Sequence, residues 1–372
     1  MLKIGITGQA GFIGTHLYNT LGLFTEEFKR IDFHKEYFED QVQLNNFVSQ
    51  CDVIVHLAAM NRHNDPQVIY EINISLVQKL IQALLETKSK AHVLFSSSTQ
   101  EEKDNLYGKS KKEGRQLMIN WATNVGGKFT GLIIPNVFGP FGHPNYNSVI
   151  ATFCHQLSHN QIPKIEVDGE MKLIYIGELV AEILKEIRNA ENNDEVWVSP
   201  TSESKVSRIL TLLEKYKSKY QDKGEVPFID SVFELNLFNT FRSYMDIAHH
   251  FPVKFEQHTD LRGSFVEVIR LGVGGQVSFS TTVPGITRGN HYHTRKIERF
   301  AVIKGKALIQ LRRIGTDEVL NFYLDGNEPA YVDMPIWYTH NIKNIGDEVL
   351  YTNFWINEFY DPNDHDTYFE NV

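Results

Sequence analysis

Two histidines and a glutamate lie close together in residues 285–300, which read GITRGNHYHTRKIERF. His291 and His293 are one residue apart, so a β-strand would direct both side chains to the same face. Glu298 follows them, and His340 in the later segment PIWYTHNIKN offers a fourth ligand. Imidazole and carboxylate groups bind divalent metals, Zn²⁺ included. Any one of these histidines could be an ordinary surface or core residue, but four ligands at these offsets favour a metal site.

A second set of residues has the types and the order that carbonyl reduction needs. Tyr107 and Lys111 in YGKSK are four residues apart and therefore share one face of a helix. An ammonium beside a phenol stabilises the phenolate, which lets Tyr107 pass a proton to a carbonyl oxygen. Ser98 ends the preceding segment FSSS and could hydrogen-bond the same oxygen. Each motif alone is common by chance, but together and in this order they favour a reductase site.

A glycine-rich turn near the start of the chain could hold the phosphates of a nucleotide. The segment ITGQAGFIGTHL places Gly8, Gly11 and Gly14 between a predicted strand and a predicted helix, with Phe12 and Ile13 among them. Glycines let the backbone approach a pyrophosphate, and a helix N-terminus offers N–H donors to it. The spacing is G-x-x-G-x-x-G rather than the common G-x-G-x-x-G, and such a turn can be purely structural. The order strand, turn, helix nevertheless favours a dinucleotide site.

The elements that would position these groups alternate in type through the first half of the chain. Short apolar segments predict buried parallel strands at 3–8, 52–59, 92–98 and 129–136. Amphipathic segments of helical length lie between them, at 66–88 and 105–122. This alternation predicts an α/β fold, a doubly wound Rossmann-type parallel sheet.

The pattern changes after about residue 255, where short apolar segments are separated by Gly, Pro, Asn and Asp. Such segments predict strands of an all-β sandwich or barrel. We therefore expect two domains, at 1–245 and 256–372, with the boundary near 244–256.

The composition excludes several classes of protein. With 42% hydrophobic and 22% charged residues, the 372-residue chain is neither disordered nor a coiled coil. The net charge is −9 and the basic residues are scattered, so no nucleic-acid partner is expected. Only Cys51 and Cys154 are present, which fits a reducing compartment. Because no signal-peptide pattern and no apolar run of about 20 residues is apparent, we expect a cytoplasmic protein without membrane association.

The first half resembles the extended short-chain dehydrogenase/reductase family. The resemblance covers roughly residues 1–240 and rests on the three glycines, HLAA, SSS, YGKSK and PNVFG. It implies a Rossmann fold, an NAD(P) cofactor and nucleotide-sugar substrates. It also implies that Ser98, or a neighbouring serine of SSS, forms the catalytic triad with Tyr107 and Lys111.

The same resemblance implies which residues choose the cofactor. Leu57 and Ala58 of HLAA match positions that contact it, and the end of the second strand, RIDFHK, selects between NAD and NADP. Asp32 could hold a ribose diol, whereas His34 and Lys35 could bind a 2′-phosphate. We expect NADPH, as a reductive biosynthesis would use, with NADH as the alternative.

The second half resembles the cupin superfamily, which implies a jelly-roll barrel. The first motif runs from Gly285 to Gly305 as G-x5-H-x-H-x4-E-x6-G, and the second is P-x-W-x2-H-x3-N, with Trp337 in place of the usual glycine. We expect Trp337 to narrow the mouth of the barrel.

The segment DLRGSFVEV resembles the 3,5-epimerase branch of cupins, which usually lacks the metal. This resemblance makes Arg262 a candidate ligand for the substrate diphosphate.

The combination of domains resembles the bifunctional capsular-polysaccharide enzymes of UDP-N-acetyl-L-fucosamine biosynthesis. This resemblance implies that the cupin domain epimerises C3 of UDP-2-acetamido-2,6-dideoxy-L-arabino-4-hexulose, and that the other domain reduces C4 to give UDP-2-acetamido-2,6-dideoxy-L-talose. It makes Asn61, Arg62 and Asn136 candidate substrate ligands, although LIIPNVFG has isoleucine where the family would have arginine. We expect a homodimer. The alternatives are a monofunctional 4-reductase whose metal cupin only dimerises the protein, and a sugar-sensing scaffold.

Overall fold

The computed structural model describes residues 1–261 and 263–372, so the predicted diphosphate ligand Arg262 lies outside the described residues. The chain forms two compact units. The first comprises Met1–Thr152 and Val167–Val206, and the second comprises Phe153–Glu166 and Ser207–Val372.

The first unit is built on a parallel sheet of six strands in the order β2-β1-β3-β4-β5-β8. Its strands are β1 Leu2–Thr7, β2 Phe28–Ile31, β3 Val53–His56, β4 His92–Ser98, β5 Phe129–Ile134 and β8 Asn193–Trp197. A second sheet has the order β6-β7-β9, with β6 Asn136–Phe138, β7 Glu170–Tyr175 and β9 Ser202–Lys205. The four buried strands predicted from the sequence are β1, β3, β4 and β5.

Helices cover both faces of the six-stranded sheet. The helices of this part of the chain are α1 Phe12–Leu21, α2 Gln41–Gln50, α3 Pro66–Glu86, α4 Leu106–Val125, α5 Val149–Ser158, which runs into the second unit, and α6 Ile176–Asn189. Apolar side chains of α2, α3 and α4 form the core on one face, and those of α1 and α6 form the core on the other. The predicted doubly wound α/β fold is therefore confirmed. Since strand order reverses between β1 and β3, the carboxyl ends of these strands mark the expected place for a ligand.

Helix α3 is, by length and composition, the one helix in the described residues that could span a membrane. Its apolar sequence is interrupted by Glu71 and Lys79, and an 18-residue stretch of it has a mean hydropathy of 1.3. Val77, Leu80 and Leu84 of α3 are buried in the core on one face of the sheet. This burial is that of a core helix in a folded unit.

The second unit combines helices with two antiparallel sheets. The helices are α7 Val206–Tyr216, which starts at the last residue of the first unit, α8 Val232–Arg242 and α9 Ile247–His250. One sheet has the order β10-β18-β15-β20-β13 and the other the order β17-β16-β19-β14-β21, while β11 and β12 form a separate hairpin. The strands are β10 Val253–Lys254, β11 Gln257–Asp260, β12 Gly263–Val266, β13 Gln276–Thr282, β14 Thr287–Tyr292, β15 Glu298–Lys304, β16 Lys306–Arg313, β17 Val319–Asp325, β18 Ala330–Met334, β19 Tyr338–Asn344, β20 Leu350–Ile356 and β21 Tyr368–Phe369.

The two five-stranded sheets enclose one apolar core, to which Val302 and Val332 of one sheet and Ile309 and Ile342 of the other contribute. Gly305 has a φ of +84° and connects β15 to β16, a backbone conformation that glycine adopts without strain. The all-β prediction for the second half is confirmed.

A buried polar network joins α8 and the segment that follows α7 to the strands of the second unit. Arg299 of β15 donates two hydrogen bonds to Asp333 of β18, at 2.7 and 2.9 Å. Tyr220, which follows α7, donates to the same carboxylate at 2.6 Å, and Arg242 of α8 donates to the Tyr220 hydroxyl at 3.1 Å. The domain boundary near 244–256 stays a prediction, and the two compact units divide at 152–153, 166–167 and 206–207.

Two candidate active sites

The glycine-rich turn between β1 and α1 borders a cavity of about 1040 Å³ in the first unit. Gly8 has a φ of +76°, and a Cβ on Gly14 would lie 2.2 Å from the Gly8 carbonyl oxygen, so both glycines are needed for the turn itself. A Cβ on Gly11 would meet only that same oxygen, at 3.2 Å. The turn itself therefore has room for a side chain at Gly11, and the lack of one leaves space in the cavity. Phe12, Ile13, Leu57 and Ala58, all predicted cofactor contacts, also line the cavity.

The structure separates the residues that were predicted to choose the cofactor. Lys35 lines the cavity, whereas His34 and Asp32 are exposed and are not among the described residues that line it. The Asp32 carboxylate accepts a hydrogen bond of 2.6 Å from the Tyr18 hydroxyl. The cavity predicted to bind the cofactor is thus lined by the Lys35 ammonium, predicted to bind a 2′-phosphate, and not by the Asp32 carboxylate, predicted to hold a ribose diol.

Tyr107 and Lys111 lie one turn apart on α4, with the Lys111 Nζ 5.9 Å from the centroid of the Tyr107 ring. Burial raises the pKa of Tyr107 to about 12, with a further contribution from nearby Tyr146. Burial lowers the pKa of Lys111 to about 8. Its ammonium donates to the Ser96 carbonyl oxygen at 2.9 Å, which fixes its position at β4. At neutral pH the phenol thus carries its proton and the amine remains mostly charged.

Gly108 allows α4 to approach the segment that carries the serines. A Cβ on this residue would lie 2.0 Å from the carbonyl oxygen of Gln100. A buried ion pair between Arg115 of α4 and Glu101, at 2.8 Å, joins the same two elements. The glycine beside Tyr107 in YGKSK is therefore a packing requirement that brings the tyrosine to the end of β4.

The three serines of SSS differ in their hydrogen bonds. Ser96 donates to the His56 carbonyl oxygen at 3.1 Å, and Ser97 donates to the carboxylate of Glu101. Ser98 accepts a hydrogen bond from the backbone N–H of Gln100 at 3.2 Å, a contact that leaves its own proton available. All three line the cavity, but this difference favours Ser98 as the donor to a ligand.

The predicted substrate ligands Asn61, Arg62 and Asn136 also line this cavity. Arg62 donates to the carbonyl oxygens of Asn145 and Tyr146, each at 2.8 Å. The Tyr146 hydroxyl accepts a hydrogen bond from the Asn61 N–H at 3.2 Å. The sequence assigned no role to Tyr146, because nothing local places its loop at the cavity; the long-range contacts with Asn61 and Arg62 do so.

In the second unit, His291, His293, Glu298 and His340 come together with all four potential ligand atoms within 4.8 Å of one another. They lie on or beside β14, β15 and β19. The Glu298 Oε2 is 3.0 Å from His293 Nε2, 3.1 Å from His340 Nε2 and 3.9 Å from His291 Nε2. The prediction that these residues converge is confirmed, although His293 lies one residue beyond the end of β14.

The chemistry of this donor set fits a divalent metal. His293 and His340 each direct Nδ1 to a backbone carbonyl oxygen, so that Nδ1 carries the proton and Nε2 keeps its lone pair. Both Nε2 atoms and the Glu298 Oε2 are buried, and apart from their short contacts with one another they have no hydrogen-bond partner among the described residues. Burial alone would raise the pKa of Glu298, but the surrounding imidazoles lower it well below its usual value. Three buried ligand atoms that face one another, one of them anionic, are suited to a cation.

The cluster opens into a cavity of about 350 Å³ that Arg288 and Lys296 also line. Trp337 is not among the described lining residues; it is buried and stacks on Tyr292, with ring centroids 5.7 Å apart. The expectation that Trp337 narrows the mouth is therefore wrong. Its φ of +62° shows why glycine is usual at this position of the motif.

Comparisons with known proteins match both units. Residues 4–198 match the model of the NAD dependent epimerase/dehydratase family, and residues 258–368 match the polysaccharide biosynthesis C-terminal domain. The chain is 31% identical to a UDP-2-acetamido-2,6-beta-L-arabino-hexul-4-ose reductase of Pseudomonas aeruginosa, over 99% of this chain and 98% of that one.

Solved structures are similar over the same range. The capsular polysaccharide assembling protein CapF of Staphylococcus aureus is 36% identical, with a TM-score of 0.64 and complete coverage of both chains. RMD of Pseudomonas aeruginosa, complexed with NADPH, is 20% identical, with a TM-score of 0.54 over 59% of this chain and 83% of that one, and shows the shared fold alone. The chain therefore belongs to the NAD dependent epimerase/dehydratase family, in its group of capsule nucleotide-sugar reductases and epimerases that carry a polysaccharide biosynthesis C-terminal domain.

Proposed function

We propose that the chain is a bifunctional enzyme that epimerises C3 of UDP-2-acetamido-2,6-dideoxy-L-arabino-4-hexulose and then reduces C4 with NADPH. The product is UDP-2-acetamido-2,6-dideoxy-L-talose. One observation carries this proposal: each compact unit has its own cavity lined by a set of reactive groups, in a chain similar over nearly its whole length to a reductase of this class. The chemistry supports the order of steps, because a C4 ketone acidifies the C3 hydrogen and reduction then removes that acidity.

In the first unit, a bound NADPH would supply the hydride. Tyr107 gives a proton to the C4 oxygen, Ser98 hydrogen-bonds that oxygen, and Lys111 stabilises the resulting phenolate. Asn61, Arg62 and Asn136 contact the substrate. Lys35 favours NADPH over NADH, since its ammonium lines the cofactor cavity and can pair with a 2′-phosphate.

In the second unit, His291, His293, Glu298 and His340 hold a divalent metal, for which Zn²⁺ is the first candidate. A metal there would polarise the substrate carbonyl and stabilise the negative charge that develops when C3 is deprotonated. Arg262, outside the described residues, is proposed to bind the diphosphate.

We further propose a cytoplasmic homodimer. Strand β13 lies at the edge of its sheet, and its Val277 and Phe279 side chains are 55% and 73% exposed. An edge strand with exposed apolar side chains is a surface on which a second copy of a chain can pair.

The test is incubation of the protein with the UDP-4-keto sugar in deuterated water, with and without NADPH. We expect deuterium at C3 in both cases and NADPH oxidation in the second. Oxidation of NADPH without C3 exchange would favour the alternative, a monofunctional 4-reductase with a structural, dimerising metal site. If neither C3 exchange nor NADPH oxidation occurs, the result would favour a sugar-binding scaffold.

A further inference from the structure

The segment 364–370 lies directly against the strand that carries the first metal-ligand candidates. Its strand β21 pairs with β14, placing Phe369 opposite His291 and Tyr368 opposite Tyr292. The Glu370 N–H donates to the Asn290 carbonyl oxygen at 3.0 Å, which extends this pairing. A segment some 70 residues from His293 in sequence therefore becomes part of the surroundings of the cluster.

Within this segment, Asp366 is 3% exposed and its carboxylate binds the turn that connects His293 to Glu298. Its Oδ1 accepts hydrogen bonds from the N–H and the hydroxyl of Thr294, at 3.0 and 2.6 Å. Its Oδ2 accepts from the N–H groups of Arg295 and Lys296, each at 3.1 Å. One carboxylate thus fixes three successive residues of the turn between two ligands.

The backbone of Asp366 acts on the same site. Its carbonyl oxygen accepts the hydrogen bond from Nδ1 of His293 that leaves Nε2 free to bind a metal. The residue has a φ of +39°, in a region where Asp and Asn are enriched among residues other than glycine. This conformation lets the carbonyl and the carboxylate point to the imidazole and to the turn together.

We propose that Asp366 is a positioning residue for the metal site, setting the orientation of the His293 ring and the path of the chain to Glu298. This inference rests on the proposed metal site. Residues that orient metal ligands from outside the coordination shell typically change metal affinity by about 10–100-fold when they are replaced. We therefore expect Asp366→Ala to weaken metal binding by about that factor.

The test compares Zn²⁺ affinity of full-length parent and variants by competition with a chromophoric chelator, together with the Co²⁺ absorption spectrum. Asp366→Ala should bind weakly and give an altered spectrum. Asp366→Asn should be intermediate, since its single amide oxygen can still accept from Thr294 but not from both sides of the turn. The matched control is Asp361→Asn, because the exposed Asp361 carboxylate accepts, among the described residues, a hydrogen bond from the nearby Asn363 N–H alone, at 2.8 Å.

Unfolding of each metal-free protein and its NADPH binding are measured alongside. An affinity loss at Asp366 that exceeds the loss at Asp361, with NADPH binding retained, supports the proposal. It is overturned if both Asp366 variants bind Zn²⁺ as tightly as the parent, or if the metal-free stability falls while affinity and spectrum stay unchanged. A parent chain that binds no Zn²⁺ or Co²⁺ would instead refute the metal site itself.

Discussion

The two cavities are assembled in different ways. The central groups of the reductase site, Tyr107 and Lys111, lie one turn apart on α4, and the glycine turn spans a few residues after β1. The cluster of candidate metal ligands draws its residues from, or from beside, three strands, with His291 and His340 opposite each other in the pairing of β14 with β19. A site built on one helix follows from local periodicity, whereas a site built across a barrel depends on strand register.

The electrostatics of the two cavities also differ. Burial in the first cavity raises the pKa of Tyr107, which keeps the phenol protonated, and lowers the pKa of Lys111 to about 8, which leaves the amine mostly charged at neutral pH. In the second, burial would raise the pKa of Glu298 but the imidazoles lower it, so a carboxylate anion persists among them. The first arrangement suits proton transfer, and the second suits binding of a cation.

The largest effect should come from Tyr107→Phe, which removes the proposed proton donor for C4 reduction. Loss of a positioned acid costs about 10²–10⁴-fold in rate. We expect NADPH oxidation to fall by that factor while deuterium still enters C3, and Tyr70→Phe on the surface of α3 serves as the control. If C3 exchange is also lost in Tyr107→Phe, both reactions take place in one site, and the distinction between the two cavities is wrong.

His291→Ala tests the same distinction from the other unit. Residues that only orient metal ligands change metal affinity by up to about 100-fold when they are replaced, so loss of a direct ligand should weaken Zn²⁺ binding by at least that factor. C3 exchange should stop. NADPH binding should survive, as measured by fluorescence titration. His258→Ala, at a histidine whose side chain is 66% exposed, is the matched control. Retained exchange with no bound metal would contradict a catalytic metal.

Gly11→Val should weaken NADPH binding by about 10–100-fold, because overpacking costs about 1–3 kcal/mol. The fold should persist, since a Cβ at Gly11 has a single close neighbour at 3.2 Å. Gly14→Ala should instead lower the melting temperature, because its Cβ would overlap the backbone at 2.2 Å. Unchanged NADPH affinity in Gly11→Val would refute the cofactor turn.

The pH profile should report the buried amine. Below a pKa of about 8, Lys111 is charged and can stabilise the phenolate, and above it the charge is lost. We therefore expect kcat/KM for reduction to fall about tenfold per pH unit above pH 8 or so, while C3 exchange follows a different profile. A reduction rate that stays constant up to pH 10 would contradict this role of Lys111.

The smallest effect is expected for Lys35→Ala, which should weaken NADPH binding about two- to fivefold. The reason is that an exposed ion pair contributes about 0.2–1 kcal/mol. NADH binding should not change. His34→Ala is the comparison, since His34 lies outside the described cavity lining. An equal loss for both cofactors in Lys35→Ala would refute recognition of a 2′-phosphate.

The sequence alone determined the fold classes, the glycine turn, the Tyr107–Lys111 pair and the identity of the four metal-ligand candidates. These depend on short-range physics, namely the periods of helix and strand and the backbone freedom of glycine. They also depend on motifs whose members lie within a few residues of one another. Residue type and local spacing can be recognised in the sequence without knowledge of the tertiary structure.

Only the tertiary structure decided which of several similar residues is available to a ligand in each cavity. It distinguished Ser98 from Ser96 and Ser97 by their hydrogen bonds, and Lys35 from His34 by position. It also brought in two residues to which the sequence assigned no role, Tyr146 in the first site and Asp366 in the second. Their contacts join segments 70 or more residues apart, and such contacts are set by packing and strand register, which leave no local period in the sequence.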